Sequence, residues 1–132
     1  MATVAVTGAA RGIGLEIAQQ HVAAGDRVFA LVRAASPALE DLAGSSNGNL
    51  TIHITDVSDD ASVRAGAAST GSDPVDIVYN VAGIVGPVES ELESSDWKEW
   101  DEAFSIMVQG PLRVLQAFLP RLNKGAKVIN IS

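Results

Sequence analysis

A glycine-rich segment near the start of the chain has the residue types and the spacing of a phosphate-binding loop. It reads Thr7-Gly8-Ala9-Ala10-Arg11-Gly12-Ile13-Gly14, and a helix-like pattern follows it directly. Gly8 would permit a tight turn, Gly12 a close approach of backbone to a diphosphate, and Gly14 close packing of the helix on the sheet. The free N–H groups of that helix would face the negative charge. The loop therefore predicts a dinucleotide site, with a glycine-rich turn that binds no ligand as the alternative.

The segment from Phe29 to Ala35 contains an arginine in the region where an acidic residue would select NAD. An NAD-binding fold usually places Asp or Glu about 20 residues past the glycine loop, to hold the ribose 2′-hydroxyl. No acidic residue occurs from Phe29 to Ala35, and Arg33 stands in that segment. Arg33 and Arg11 could together bind a 2′-phosphate through charge-assisted hydrogen bonds. We therefore expect NADP, with NAD less favoured; the alternative is that both arginines are solvated surface residues.

Five short apolar runs rich in β-branched residues predict the strands that position this loop. They are Ala2 to Thr7, Arg27 to Arg33, Asn49 to Thr55, Val75 to Asn80 and Lys127 to Ser132. Their apolar residues follow one another directly rather than alternating with polar ones, which is typical of parallel strands covered on both faces.

Helical stretches alternate with these runs. The predicted helices are Gly12 to Ala24, one beginning at Ser36-Pro37, one capped by Ser58 and running to about Thr70, and a long one from Asp96 to Leu122. The alternation predicts an α/β fold, a Rossmann-like doubly wound parallel sheet of strand order 3-2-1-4-5 that is truncated after strand five. Residues 1–132 would form a single nucleotide-binding domain.

Composition excludes several kinds of partner. The net charge is −7 and the nine Lys and Arg residues are scattered, so we expect no nucleic acid and no membrane as partner. The absence of cysteine excludes disulfides and thiolate metal sites, and no metal site is predicted. No signal-peptide pattern opens the chain, which favours a cytoplasmic location.

With its three residues between the first two glycines, the loop resembles that of the classical short-chain dehydrogenases/reductases. Further family motifs occur at Asp56-Val57, Asn80-Val81-Ala82-Gly83 and Asn130-Ile131-Ser132, each after or within a predicted strand. The resemblance covers the whole chain and corresponds to the N-terminal half of the family fold. Residues 83–87, Gly110-Pro111-Leu112 and Phe118-Leu119-Pro120 look most like the branch of C-factor-like carbonyl reductases.

The resemblance implies a role for each of these motifs. Asp56 would accept a hydrogen bond from the adenine amino group beside the Val57 N–H, although capping of the next helix is an alternative role for its carboxylate. The small residues after strand four would lie against the cofactor ribose and nicotinamide. The predicted cofactor-binding residues are Gly8, Ala10, Arg11, Gly12, Ile13, Gly14, Arg33, Asp56, Val57, Asn80, Ala82 and Gly83.

The residues that carry the family's hydride-transfer chemistry are missing or altered. The family uses Tyr and Lys in Y-x-x-x-K, but the single tyrosine, Tyr79, has Gly83 four positions later. By alignment the catalytic Ser falls one residue past Ser132. Met107 takes the place of the relay Asn; Pro111 would leave the Met107 carbonyl free to act, and an ordinary core side chain is the alternative.

The resemblance therefore implies an NADP-dependent oxidoreductase for a small-molecule carbonyl or alcohol substrate, represented here by its cofactor-binding half. We expect the 132-residue chain alone to be inactive. A non-catalytic nucleotide-binding or interaction domain derived from the family is the alternative, and an inactive pseudogene product is a third.

The apolar edge at residues 127–132 and the long helix predict a homo-oligomer. Tyr79 and His53 are expected in the core and His21 on a helix surface.

Overall fold

The computed structural model describes residues 1–84, 86 and 92–132. Their five strands form one parallel sheet in the order β3-β2-β1-β4-β5, which confirms the predicted topology. The strands are β1 Thr3–Thr7, β2 Arg27–Val32, β3 Leu50–Ile54, β4 Val75–Asn80 and β5 Leu122–Asn130.

Within the described residues, five α-helices connect the strands: α1 Gly12–Ala23, α2 Pro37–Ser45, α3 Asp60–Ser69, α4 Trp97–Phe104 and α5 Gly110–Phe118. Short 3₁₀ turns cover Leu92–Ser94 and Leu119–Arg121, and a π-helical turn covers Ser105–Gln109. In the part of the chain that the structure describes, no helix combines the length and the apolar character that a membrane crossing needs.

The core has two layers, one on each face of the sheet. One layer joins Ala5, Phe29 and Val78 of the strands to Val63 of α3 and Val114 of α5. The other joins Val4, Val6 and Val28 to Ala18 of α1 and Leu39 of α2. Because neighbouring residues of a strand point to opposite faces, β1 contributes to both layers. This arrangement is the doubly wound sheet that the continuous apolar runs predicted.

Two of the predicted element boundaries are wrong at the carboxyl side of the fold. The predicted helix from Asp96 to Leu122 is interrupted by the π-helical turn and ends at Phe118, followed by a 3₁₀ turn that contains Pro120. Proline has no N–H to continue a helical ladder, so the chain turns there. As a result β5 begins at Leu122 rather than at Lys127, with an irregularity where Val75 pairs with Leu122 but Ile77 pairs with Lys127.

Two local expectations also need correction. Asp59, not Ser58, caps α3, because its carboxylate accepts hydrogen bonds from the N–H groups of Ala61 and Ser62. His21 is not a surface residue: its side chain is only 17% exposed and contacts Asp26 at 2.7 Å and the Tyr79 hydroxyl at 3.1 Å. The His21 side chain, which was expected on the helix surface, thus packs between α1 and β4.

Candidate cofactor site

A cavity of about 590 Å³ opens at the carboxyl ends of β1, β2 and β4. This is where open α/β sheets bind their ligands, and the volume suits a small molecule. All the residues predicted to bind a cofactor line it, with the exception of Asn80. Leu31, Val32, Ala34, Ser36, Val81, Ile84 and Ile106 line it as well.

The glycine loop forms the floor of the cavity, and its geometry requires glycine. A Cβ at Gly14 would lie 2.2 Å from the Gly8 carbonyl oxygen, and a Cβ at Gly8 would lie 2.8 Å from the Ala82 backbone. Gly12 has φ of +56°, and the space that its Cβ would enter holds no atom within 4 Å. The loop is therefore packed tightly beneath, whereas at Gly12 the backbone is open to a ligand.

The start of α1 leaves its N–H groups available to an anion. Its N-cap is Arg11, whose side chain makes no capping hydrogen bond, and the first turn holds no acidic residue. By contrast, Ser36, Asp59 and Asp96 cap α2, α3 and α4 with side-chain oxygens. Uncapped N–H groups and the positive end of the helix dipole attract phosphate groups.

The two arginines predicted to bind a 2′-phosphate, Arg11 and Arg33, are both exposed and both line the cavity. Ser36, to which sequence reasoning assigned only a capping role, lines the same cavity. Its Oγ donates a hydrogen bond to the Ala10 carbonyl at 2.5 Å and accepts one from the Leu39 N–H at 3.1 Å. Ser36 thereby connects the glycine loop to α2, next to the arginines.

Asp56 presents an ionised carboxylate to the cavity. Its Oδ1 accepts hydrogen bonds from the Ser58 hydroxyl at 2.6 Å and the Ser58 N–H at 2.9 Å. These bonds, with smaller contributions from the charges of Arg33 and Arg113, lower the pKa of Asp56 below its ordinary value. Since Asp59 is the cap of α3, Asp56 does not fill that alternative role. The arrangement suits a hydrogen-bond acceptor.

Thr7 positions the strand-four side of the cavity, and sequence reasoning gave this residue no role of its own. Its side chain is buried, and its Oγ1 accepts hydrogen bonds from the N–H groups of Val81 at 2.9 Å and Ala82 at 3.0 Å. In the sequence, Thr7 stands out only as the first residue of the glycine loop. The signal that could have found it is the order of the sheet, which places β1 beside β4.

Asn80 lies beneath the cavity rather than in its lining. Its Nδ2 donates to Asn130 Oδ1 at 2.9 Å, and its backbone carbonyl accepts from the Ile131 N–H at 3.0 Å. The buried Oδ1 of Asn80 has no hydrogen-bond partner among the described residues. Asn80 and Asn130 thus join the ends of β4 and β5, just before the chain reaches Ala82 and Gly83.

Met107 lies in the π-helical turn, beside the cavity. A Cβ placed on Gly83 would be 3.7 Å from Met107 Cε, so the two residues are neighbours. The Met107 side chain is 43% exposed and is therefore not the buried core side chain that was the alternative. Pro111 has no N–H to donate to the Met107 carbonyl four residues earlier, and a π-helical turn stands where we expected the helix to bend.

The single tyrosine does not belong to this cavity. The Tyr79 hydroxyl lies 3.1 Å from His21 Nε2, and the other ring nitrogen of His21 lies 2.7 Å from Asp26. This group lines a separate, smaller cavity of about 250 Å³ between α1 and β4. Tyr79 is consequently not placed to serve a ligand held by the glycine loop.

The amino-acid sequence is similar to those of known dehydrogenases. The sequence model of the short chain dehydrogenase family matches residues 2–132. The 1-deoxy-11-beta-hydroxypentalenate dehydrogenase of Streptomyces avermitilis is 35% identical over 125 residues, covering 91% of this chain and 46% of the relative. The 2-(R)-hydroxypropyl-CoM dehydrogenase of Xanthobacter autotrophicus is 36% identical over 132 residues, covering 94% of this chain and 52% of the relative.

Solved structures show the same fold. A carbonyl reductase from Pseudomonas aeruginosa PAO1 in complex with NADP matches with a TM-score of 0.90 and 30% identity, covering 100% of this chain and 61% of that one. The chain spans about half the length of the curated relatives it matches. The resemblance to the C-factor-like branch used residues 83–87, of which Val85 and Pro87 lie outside the described residues, and the branch stays a prediction.

Proposed function

Because this chain belongs to the short-chain dehydrogenase family, we propose that it forms the cofactor-binding half of an NADP(H)-dependent oxidoreductase acting on a carbonyl or alcohol compound. The observation that carries the proposal is the charge of the cavity. Arg11 and Arg33 lie at its rim, and Asp56 is the single carboxylate among the described residues that line it. Two guanidinium groups without a competing acid at the end of β2 suit a 2′-phosphate.

The remaining lining residues fit the rest of the cofactor. The uncapped start of α1 and the open backbone at Gly12 would hold the diphosphate. The ionised Asp56 would accept a hydrogen bond from the adenine amino group, beside the Val57 N–H. Ala82 and Gly83 would pass close to the ribose and nicotinamide, with Asn80 acting from beneath by holding β4 to β5. When bound, NADPH would supply the hydride.

Calorimetric titration of the chain with NADP and NAD tests the proposal. We expect tighter binding of NADP, and Arg33→Ala should remove most of that preference while leaving NAD affinity nearly unchanged. A lost charge-assisted contact is worth about 1.5–3 kcal/mol, or roughly 10- to 150-fold in affinity. Arg64→Ala is the matched control, since Arg64 is an exposed arginine of α3 that pairs with Asp60 and does not line the cavity. Tighter binding of NAD would refute the cofactor assignment.

A non-catalytic nucleotide-binding domain is the second candidate, favoured by the position of Tyr79 outside the cavity and by Met107 at the relay position. The two candidates differ in the sequence that the gene encodes after Ser132. A serine immediately next and a Y-x-x-x-K about 13 residues beyond it would favour the oxidoreductase. Their absence, together with intact NADP binding, would favour the binding domain.

A further inference from the structure

Arg113 of α5 makes the most extensive set of side-chain hydrogen bonds around the cofactor cavity, although it does not line the cavity itself. Its guanidinium donates to the Val57 carbonyl at 2.9 Å, the Ser105 carbonyl at 2.9 Å and Gln109 Oε1 at 2.9 Å. A further contact reaches Ser105 Oγ at 3.3 Å. One side chain thus connects α5, the π-helical turn and the loop after β3.

The loop after β3 depends on α5 for its position. Val57 is buried, and a Cβ added at Gly110 would lie 3.2 Å from Val57 Cγ2 and 3.4 Å from the Val57 carbonyl oxygen. The helix therefore approaches the loop as closely as a glycine allows. The Val57 carbonyl, facing this packed surface, receives its hydrogen bond from the charged Arg113. A carbonyl left without a partner in such a place would be costly.

The same guanidinium also holds the π-helical turn, which forms another wall of the cavity. Ile106 of the π-helical turn lines the cavity, and Met107 lies beside Gly83. Because Arg113 bonds to the Ser105 carbonyl and to Gln109 at the two ends of this turn, the turn and the Asp56–Val57 loop share one anchor. Displacement of the anchor would move both walls.

We propose that Arg113 is a positioning residue for the adenine end of the cofactor site, acting through the Val57 carbonyl on the backbone of residues 56 and 57. The inference rests on the proposed function of the cavity. Arg113 touches no ligand in this scheme. It sets where the Asp56 carboxylate and the Val57 N–H stand, which are the groups proposed to recognise adenine.

Binding of adenosine 2′,5′-bisphosphate, the adenine half of NADP, to the 132-residue chain tests the proposal. Arg113→Met should weaken its binding about tenfold, the effect of losing roughly 1.4 kcal/mol of alignment. Arg121→Met is the matched control. Arg121 also bonds to backbone carbonyls, those of Asp73 and Ala67, but at the far end of α5 and away from the cavity. Thermal unfolding should show both variants destabilised, whereas only the first should bind the probe less well.

Amide chemical shifts provide a second measurement, one that a general loss of stability does not change. In ¹⁵N-resolved NMR spectra, Arg113→Met should shift the resonances of Val57 and Ser58, because the Ser58 N–H bonds to the Asp56 carboxylate. Arg121→Met should leave these resonances in place. If Arg113→Met does not fold, Arg113→Lys serves, since it retains the charge but not the planar set of donors, and it should show the same shifts with a smaller loss of affinity.

The outcomes distinguish failure of the proposed function from failure of the proposed role of Arg113. Wild-type chain that fails to bind adenosine 2′,5′-bisphosphate would refute the proposed function. Wild-type chain that binds it, with a folded Arg113 variant of unchanged affinity, would overturn only the role of Arg113. Equal losses in the Arg113 and Arg121 variants would overturn that role too, because they would show an effect of stability alone.

Discussion

The Oγ1 of Thr7 lies 3.0 Å from the backbone nitrogen of Ala82 and accepts its hydrogen bond. The two residues are separated in the chain by three strands, β2 to β4, and three helices, yet they meet where the glycine loop leaves β1 and the next cavity wall leaves β4. The same oxygen accepts from the Val81 N–H, so a single buried hydroxyl fixes the distance between two walls of the cofactor cavity.

Thr7→Val should therefore weaken both stability and cofactor binding. The substitution keeps the shape but leaves the half-buried N–H groups of Val81 and Ala82 without this acceptor, at a cost of about 1–3 kcal/mol. Thr70→Val is the control, because Thr70 is equally buried and hydrogen-bonded but lies away from the cavity. Chemical denaturation should show both variants destabilised, and calorimetry should show lower NADP affinity for Thr7→Val only. Unchanged affinity would show that the Thr7 contact does not shape the site.

Two glycines of the loop should respond differently to alanine. Gly14→Ala would place a Cβ 2.2 Å from the Gly8 carbonyl, so the backbone must move and the chain should be strongly destabilised. In Gly12→Ala the added Cβ has no protein atom within 4 Å. The loss of folding stability comes mainly from the left-handed backbone conformation, about 1–2 kcal/mol, while the methyl group would obstruct the ligand.

The measurements are thermal unfolding and NADP titration. Gly25→Ala is the control for conformational cost, because Gly25 also has positive φ, open space around it and no place in the cavity lining. We expect Gly12→Ala to match it in stability but to lose cofactor binding. Equal cofactor affinity in these two variants would argue against a diphosphate at Gly12.

The fold should lose stability below about pH 4 through two carboxylates, Asp26 and Asp76, that accept hydrogen bonds from the N–H groups of Ala2 and Thr3 around the start of β1. Hydrogen bonding to His21 chiefly lowers the pKa of Asp26, and the N–H of Thr3 chiefly lowers the pKa of Asp76, each from an ordinary value of 3.8. Groups with lowered pKa stabilise the folded state above their unfolded pKa, and this contribution disappears as pH falls through the folded value.

Denaturant unfolding across the acid range measures this effect. Asp26→Asn and Asp76→Asn should each be less stable than wild type near neutral pH, by about 1–2 kcal/mol, and should lose less stability on acidification. Asp41→Asn is the control, because Asp41 is an exposed residue of α2. The explanation fails if the two single variants retain the full acid dependence of the wild type.

The 132-residue chain should bind cofactor without turning over a carbonyl substrate. A general acid must lie within hydrogen-bond reach of the reacting oxygen, and Tyr79 instead contacts His21 in a separate cavity. NADPH absorbance in the presence of a panel of aldehydes and ketones is the measurement. Specific turnover that disappears in a Gly12 variant would contradict this prediction.

The chain should associate with copies of itself. Large apolar side chains stand exposed along α4 and α5, among them Trp97 at 74% and Leu112 at 65%, and β5 exposes Val128. Such a surface on a small domain favours burial against a partner. Light scattering should report a dimer or larger assembly, and Leu112→Glu or Val128→Lys should show which surface mediates it. A stable wild-type monomer at tens of micromolar would show that neither surface associates.

The parts of this protein that sequence alone determined are those controlled by short-range chemistry. The conformation at Gly12, the cap of α2 by Ser36 and the strand-forming runs depend on a few consecutive residues, so their spacing predicted both the elements and most of the cavity lining. The strand order followed because alternating strands and helices with buried faces permit few arrangements. Pro120 also acts locally, yet the apolar pattern continues past it and predicts a helix to Leu122, whereas the helix ends at Phe118.

Only the tertiary structure decided which residues far apart in the chain contact each other. Thr7 with Ala82, Asn80 with Asn130, and Arg113 with Val57 are each separated by tens of residues, and none leaves a periodic signal. His21 illustrates the reason. On α1 its position suits a solvated surface, but the packing of α1 on β4 brings it to the Tyr79 hydroxyl, 58 residues further along the chain. A polar side chain's partner depends on the element that packs against it, which local sequence does not encode.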